Sequence, residues 1–372
     1  MKDRKPAEVF PPGDYIRSEL EAREWTQMDL AEILSMSVTG IGEILNDKRG
    51  ITAETARGLA DAFGTSAQVW LNLDARYRLD SARPRPGTRL RSEIYSKAPV
   101  REMIKRQWID GSSNPEVLSA TVCRFLGINS LDEEPTPMAH AARKATSYKT
   151  SSPAQIAWLC RVAQLAPAVD IAEQYSVARF PELIGKLKAL VPNVPDVRKV
   201  ARVLSDFGIR FLVVEPLPGS KIEAVTFWIG KAPVIVMSLR LGKLHSFWHN
   251  LLHELAHVKN RDGVVVDTDS SFGDGNLPPN EQAANVFAVE TLIPAHELDG
   301  FINRVGPTYS LARIQGFASR VGVHPAIVIG QLAHRGEITW ARFGTHLPNV
   351  REHVTATALT DGWGHALPSM TS

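Results

Sequence analysis

The sequence predicts a multidomain, mainly α protein: an all-α N-terminal module, a connector, and a C-terminal α+β domain with a small β-sheet. Three observations point there. The 372 residues exceed what one hydrophobic core usually organises. Capped apolar runs at helical spacing fill residues 12 to 79. After Gly208 the texture changes to β-branched and aromatic runs that lead into a helix carrying histidines at fixed intervals.

From Pro12 to Leu79 short helices follow one another. Ile16, Leu20, Leu30, Ile33 and Leu34 recur at helical spacing, and Thr26 with Asp29 has the form of a capping box. Ser37 caps a second helix, Val38 to Leu45, which Asn46-Asp47-Lys48-Arg49-Gly50 stops. Thr52 opens a third that Gly64 closes, and Ser66 starts a segment holding Trp70. Two short helices joined by a tight Ser-Met-Ser corner are the outline of a helix-turn-helix, placing this domain at residues 10–80. Residues 81–150, rich in proline and charge, read as a basic linker and helical connector. Between Arg76 and Arg106 ten cations face three anions, so this stretch either touches a polyanion or is a solvated linker.

The second domain is expected over 151–345. Residues 151–208 form a helical lead-in whose helices are limited by Pro167, Pro181, Pro192 and Pro195. The core, 209–345, begins with three strands, 209–214, 224–229 and 233–237. A helix with the histidines, a loop, a helix from about Glu281 to Leu292 and a helical tail follow. Residues 346–372 show no clear pattern and are expected to fray.

Composition narrows the function classes. Hydrophobic residues at 44% and charged residues at 22% describe a globular rather than a disordered chain. Cys123 and Cys160 are too far apart for a C-x-x-C site, which argues against a cysteine metal centre or a disulfide framework and fits a reducing cytoplasm. No stretch reaches the roughly 18 apolar residues of a membrane span, and the polar start has no secretion-signal core. A cytoplasmic location with no membrane partner is therefore expected.

The chemistry concentrates in Phe247 to Lys259. Residues four apart on a helix share a face, so His253 and His257 project side by side, the separation that two ligands of one tetrahedral zinc require. Glu254 stands beside them as general base. A third ligand completes a catalytic site with one position left for water. Glu281 is the favoured choice, one turn before a small alanine that lets two helices approach, with Asp267, Asp269 and Glu290 as competitors. Asn285, on the same face, is placed to bond His253 or His257 from outside the metal. His249 would set three imidazoles in a row, which tetrahedral geometry cannot use, so a buried supporting role is expected; His245, His324 and His334 read as partnered or surface histidines. Zinc lowers the pKa of its water toward about 7, and Glu254 removes the proton, then hands it to the leaving amine.

The run Phe247-Trp248, His253-Glu254-Leu255-Ala256-His257, Glu281-x-x-Ala284-Asn285-x-Phe287-Ala288 and Leu292-Ile293-Pro294 resembles the ImmA/IrrE family of metallopeptidases over about residues 205–340. The resemblance implies a zincin-like fold, zinc ligands His253, His257 and Glu281, general base Glu254, and cleavage of a DNA-bound repressor. Ala283, where a second acid is usual, and His249, where an uncharged residue is usual, depart from the pattern.

The N-terminal module resembles the HigA-type antitoxin branch of the Xre helix-turn-helix proteins, through Pro12-Gly13-Asp14-Tyr15-Ile16, Thr26-Gln27-x-x-Leu30-Ala31, Ile44-Leu45-Asn46-x-Lys48-Arg49-Gly50-Ile51-Thr52 and Trp70-Leu71-Asn72-Leu73. The resemblance implies that Gln27, Asn46 and Lys48 hold phosphates while Ser37, Thr39 and Glu43 face the major groove. Gly40 and Gly42 weaken that helix by about 1 kcal/mol each. The expected whole is a homodimeric regulator in a toxin–antitoxin or stress circuit, with operator DNA and a repressor-like protein substrate or a cognate toxin as partners. The alternative is a non-catalytic antitoxin with a structural or vestigial zinc site.

Overall fold

The computed structural model describes residues 9–82, 86–137, 151–268 and 277–363. The chain divides into two units, residues 1–86 and 87–372.

The first unit is all helical: α1 (Pro12–Ala22), α2 (Gln27–Ile33), α3 (Val38–Leu45), α4 (Ala53–Phe63) and α5 (Ala67–Ser81). The caps sit where the sequence places them. Thr26 and Asp29 make the reciprocal capping box of α2, and the hydroxyls of Ser37, Thr52 and Ser66 accept the N–H three residues on. Gly64 ends α4 in the left-handed conformation, φ 69°, that a glycine adopts without strain. Ile16, Leu20, Leu30, Ile41, Leu59 and Trp70 form the core. Gly13 lies against the backbone carbonyl of Leu45, so α1 can start there only without a Cβ.

The second unit begins with α6 (Thr88–Lys97), α7 (Val100–Lys105), α8 (Pro115–Leu126) and α9 (Pro153–Leu165). Where the sequence suggests a connector, α6 to α8 pack with α9 into the unit's own core: Ile94, Met103, Leu118 and Trp158 share a cluster with Leu212, Val225 and Val236 of the sheet. Helices α10 (Phe180–Lys188) and α11 (Val200–Asp206) lead into β1 (Arg210–Val213), β2 (Ile222–Ile229) and β3 (Ala232–Met237). Next come α12 (Leu244–Asn260), β4 (Val265–Thr268), α13 (Pro279–Leu292), α14 (Ala295–Val305), α15 (Leu311–Val321), α16 (Pro325–His334), α17 (Arg351–Thr355) and β5 (Leu359–Thr360).

The sheet is mixed, in the order β4-β2-β3-β1-β5. Strand β1 runs parallel to β3 and β5, while β2 is antiparallel to β3 and β4. Phe211, Val213, Ile235 and Met237 face a core built on α12; Leu212, Val234 and Val236, alternating with them, face the α6–α9 side. Burial on both faces explains why the strands read as continuous apolar runs.

The tail corrects the sequence expectation. Residues 346–363 do not fray. Val350, Val354 and Ala358 are buried, Arg351 bonds the Leu239 carbonyl at 2.7 Å and pairs with Glu215, and β5 closes the edge of the sheet beside β1. Residues 364–372 lie outside the described ones.

Candidate functional site

Helix α12 is held on almost every side. Phe247, Trp248, Leu251, Leu252, Leu255 and Val258 are buried in the core, each large apolar side chain contributing roughly 1.5–3 kcal/mol. His253, Glu254 and His257 are buried too, at 1, 0 and 0% exposure. Polar groups taken from water in this way must find partners. Most of those partners come from α13, whose fully buried Ala284 and Ala288 permit a close approach to α12.

His253 Nδ1 lies 2.9 Å from Asn285 Oδ1, and His257 Nδ1 lies 2.7 Å from Asp262 Oδ2. With the Nδ1 protons donated to those oxygens, each ring turns its Nε2 to the same point. The two Nε2 atoms are 3.0 Å apart, and Glu281 Oε2 stands 3.2 Å from the first and 3.6 Å from the second. Two lone pairs and a carboxylate at such distances repel unless a proton or a cation joins them. The edges of a tetrahedral zinc site with bonds of about 2.05 Å are about 3.3 Å long, so the donor set fits a zinc-type ion in both chemistry and spacing. His253, His257 and Glu281 form the group of described residues able to hold a metal ion.

Without metal a proton takes that place. Burial disfavours the His257 cation, but the hydrogen bond to Glu281, the charge of Glu254 and the bond to Asp262 outweigh it and push the imidazole up to about 9. Burial likewise resists ionisation of Glu281, yet its bonds from His253 and His257 pull it down to about 2.

The remaining candidates fall elsewhere. Glu290 is exposed and accepts the Ala295 N–H at 3.2 Å, ahead of α14. Asp267 is in β4, and Asp269 lies outside the described residues. The ring of His249 stacks beside His253, 6.3 Å between centroids, and burial together with that neighbour pushes it down to about 4, a neutral supporting imidazole. His324 accepts the Ala326 N–H as the cap of α16. Asp262 is the residue that sequence reasoning missed. Arg261, in the left-handed conformation at φ 55°, ends α12 and turns the chain so that Asp262 returns to His257. Asp262→Ala is expected to weaken zinc binding roughly 10–100-fold, the usual cost of losing such a support. Competition against a chromophoric chelator measures it, and an unchanged affinity would remove Asp262 from the site.

On the first unit, Thr39, Glu43 and Lys48 are exposed around α3. The other three side chains are engaged within the module. Gln27 Nε2 donates to the Val38 carbonyl at 2.8 Å, Ser37 caps α3, and Asn46 Nδ2 donates to Gly42 O at 2.8 Å while its Oδ1 accepts from Arg17. Gly42 has a local reason: a Cβ there would sit 2.8 Å from Gln27 Nε2, so its absence lets α2 brace α3. Much of the basic stretch is also occupied. Arg78 pairs with Asp74, Arg89 with Glu93 and Lys97 with Glu134, and Arg106 donates to the carbonyls of Glu215 and Pro216.

Comparison with known proteins finds two family profiles, helix-turn-helix over residues 16–70 and the IrrE N-terminal-like domain over residues 205–330. Virulence-associated protein I of Dichelobacter nodosus is 40% identical over 82 residues, 22% of this chain and 74% of that protein. An HTH-type transcriptional regulator of Haemophilus influenzae is 38% identical over 80 residues, 21% of this chain and 72% of its own length. Among solved structures, the Pseudomonas aeruginosa antitoxin HigA with the higBA promoter is 35% identical, covering 20% of this chain and 82% of that one, with a TM-score of 0.19.

Proposed function

Because the chain belongs to the Xre-type helix-turn-helix family and carries an IrrE/ImmA-like metallopeptidase domain, we propose that it is a DNA-binding regulator whose second unit is a zinc-dependent endopeptidase acting on another regulatory protein. The convergence of His253, His257 and Glu281 beside the buried Glu254 carries this reading. Zinc held by those three residues supplies Lewis acidity, acidifying a water and polarising a peptide carbonyl. Asn285 and Asp262 hold the imidazoles in the tautomer that leaves both Nε2 atoms free for the ion. Glu254 takes the proton of the attacking water and returns it to the departing amine. The packed shell of α12 and α13 keeps the carboxylate out of bulk water. In the first unit, Thr39, Glu43 and Lys48 reach the DNA, while Gln27 and Asn46 stiffen the helix that presents them.

The test is a metal analysis followed by a comparison of new protein N-termini in cells expressing the wild-type chain or Glu254→Gln. About one zinc per chain and a cleavage product seen only with the wild type are expected. A full chain that takes up no zinc on dialysis would sink the reading, and matching N-termini in both strains would favour a non-catalytic antitoxin.

A further inference from the structure

Helix α12 has a second use. Its N-terminal end borders a cavity of about 570 Å³ that the proposed chemistry leaves unassigned, within the roughly 300–1,000 Å³ of small-molecule sites. We propose that this cavity binds a small apolar molecule bearing one carboxylate, such as an arylacetic acid.

The walls select the apolar body. Val289, Leu292 and Ile327 line the cavity, and the half-exposed indole of Trp340 stands beside the His245 ring at 5.5 Å between centroids, a surface on which a flat ring stacks. The charges select the carboxylate. Arg240 is already paired with Glu223, and Arg335 with Asp299. Lys243 differs: among the described residues no carboxylate lies within ion-pair distance of it, and its Nζ donates to the Leu347 carbonyl at 3.0 Å. Lys243 is also the N-cap of the 17-residue α12, where the positive end of the helix dipole favours an anion. A cation and a helix terminus therefore raise the potential at one side of a space whose apolar wall is Val289, Leu292 and Ile327 and whose remaining lining residues are largely polar.

The position gives such a ligand a reason to be there. A second cavity, about 260 Å³, shares His249, Val289 and His334 with the first and includes Asn285, which holds His253. A molecule in the larger space thus touches residues one helical turn from the metal centre. The binding claim rests on the cavity alone, so its failure leaves the peptidase reading standing, and loss of peptidase activity does not bear on it.

The experiment is calorimetric titration of the full chain with 2-naphthylacetate and with 2-naphthylacetamide, which matches it in size without the charge. The acid is expected to bind one site per chain, about fivefold or more tighter than the amide, a difference of roughly 1 kcal/mol. Lys243→Met should bring the two to equal affinity, and Val289→Trp, which fills the space, should weaken both about tenfold or more. Should Val289→Trp disturb folding, Lys243→Met at its half-buried surface position decides the matter alone. No heat at millimolar acid, or an acid preference that survives Lys243→Met, overturns the proposal.

Discussion

Glu254→Gln should keep zinc at wild-type stoichiometry while slowing peptide cleavage by about 10²–10⁴-fold, the range that a positioned general base contributes. The substitution preserves shape and volume in a fully buried position, so packing is retained, while it removes the capacity to accept a proton and the charge that favours the His257 cation. Loss of metal together with activity would show that Glu254 supports the ligands instead of the reaction, and retained cleavage would remove it from catalysis. The measurement is a single-turnover rate on an identified substrate, with zinc content determined on the same sample.

The second large effect is a pH dependence that changes sign with metal. In the metal-free chain the pKa of His257 is raised from 6.5 to about 9, so its stabilisation is fully present below 6.5 and is lost as pH climbs through 9. The size is of order 3 kcal/mol across that window. Glu281, pulled from 4.5 to about 2, contributes stability present above 4.5 and lost as pH falls through 2; it is the other half of the same interaction and is not to be added. Zinc must displace the His257 proton, so its apparent affinity should rise up to tenfold per pH unit until about pH 9. Denaturant midpoints taken in chelator and in saturating zinc from pH 6 to 9 should diverge. Parallel curves would show that His257 carries no proton for the ion to displace.

How much of this was legible depended on whether the signal was local. Caps at Thr26, Ser37 and Thr52 act within three residues, and they appear where the sequence reading puts them. The histidine helix was readable because a four-residue spacing is itself a statement about one face. Strands β4 and β5 were not. They have four and two residues, and only pairing with strands distant in the chain makes them strands. Helices α6 to α8 were obscured by the prolines and charge around them, and their apolar residues, Ile94, Met103, Leu118 and Val122 among them, become a core only against α9 and the sheet. Asp262 follows His257 by five residues, but its partnership requires the left-handed turn at Arg261, which composition does not announce. Gln27 and Asn46 show the opposite limit: their types suit phosphate, and in this module each also gives a hydrogen bond that braces α3, which the residue type alone does not announce.

Strand β5 sets an order of events during synthesis. The N-terminal unit closes on contacts within its own residues and can fold as soon as it leaves the ribosome. The sheet of the second unit is completed later, because β1 waits beside β3 for an edge partner translated last of the five. A chain released early, before Leu359, would therefore carry a finished helix-turn-helix module on a second unit whose β1 edge is open.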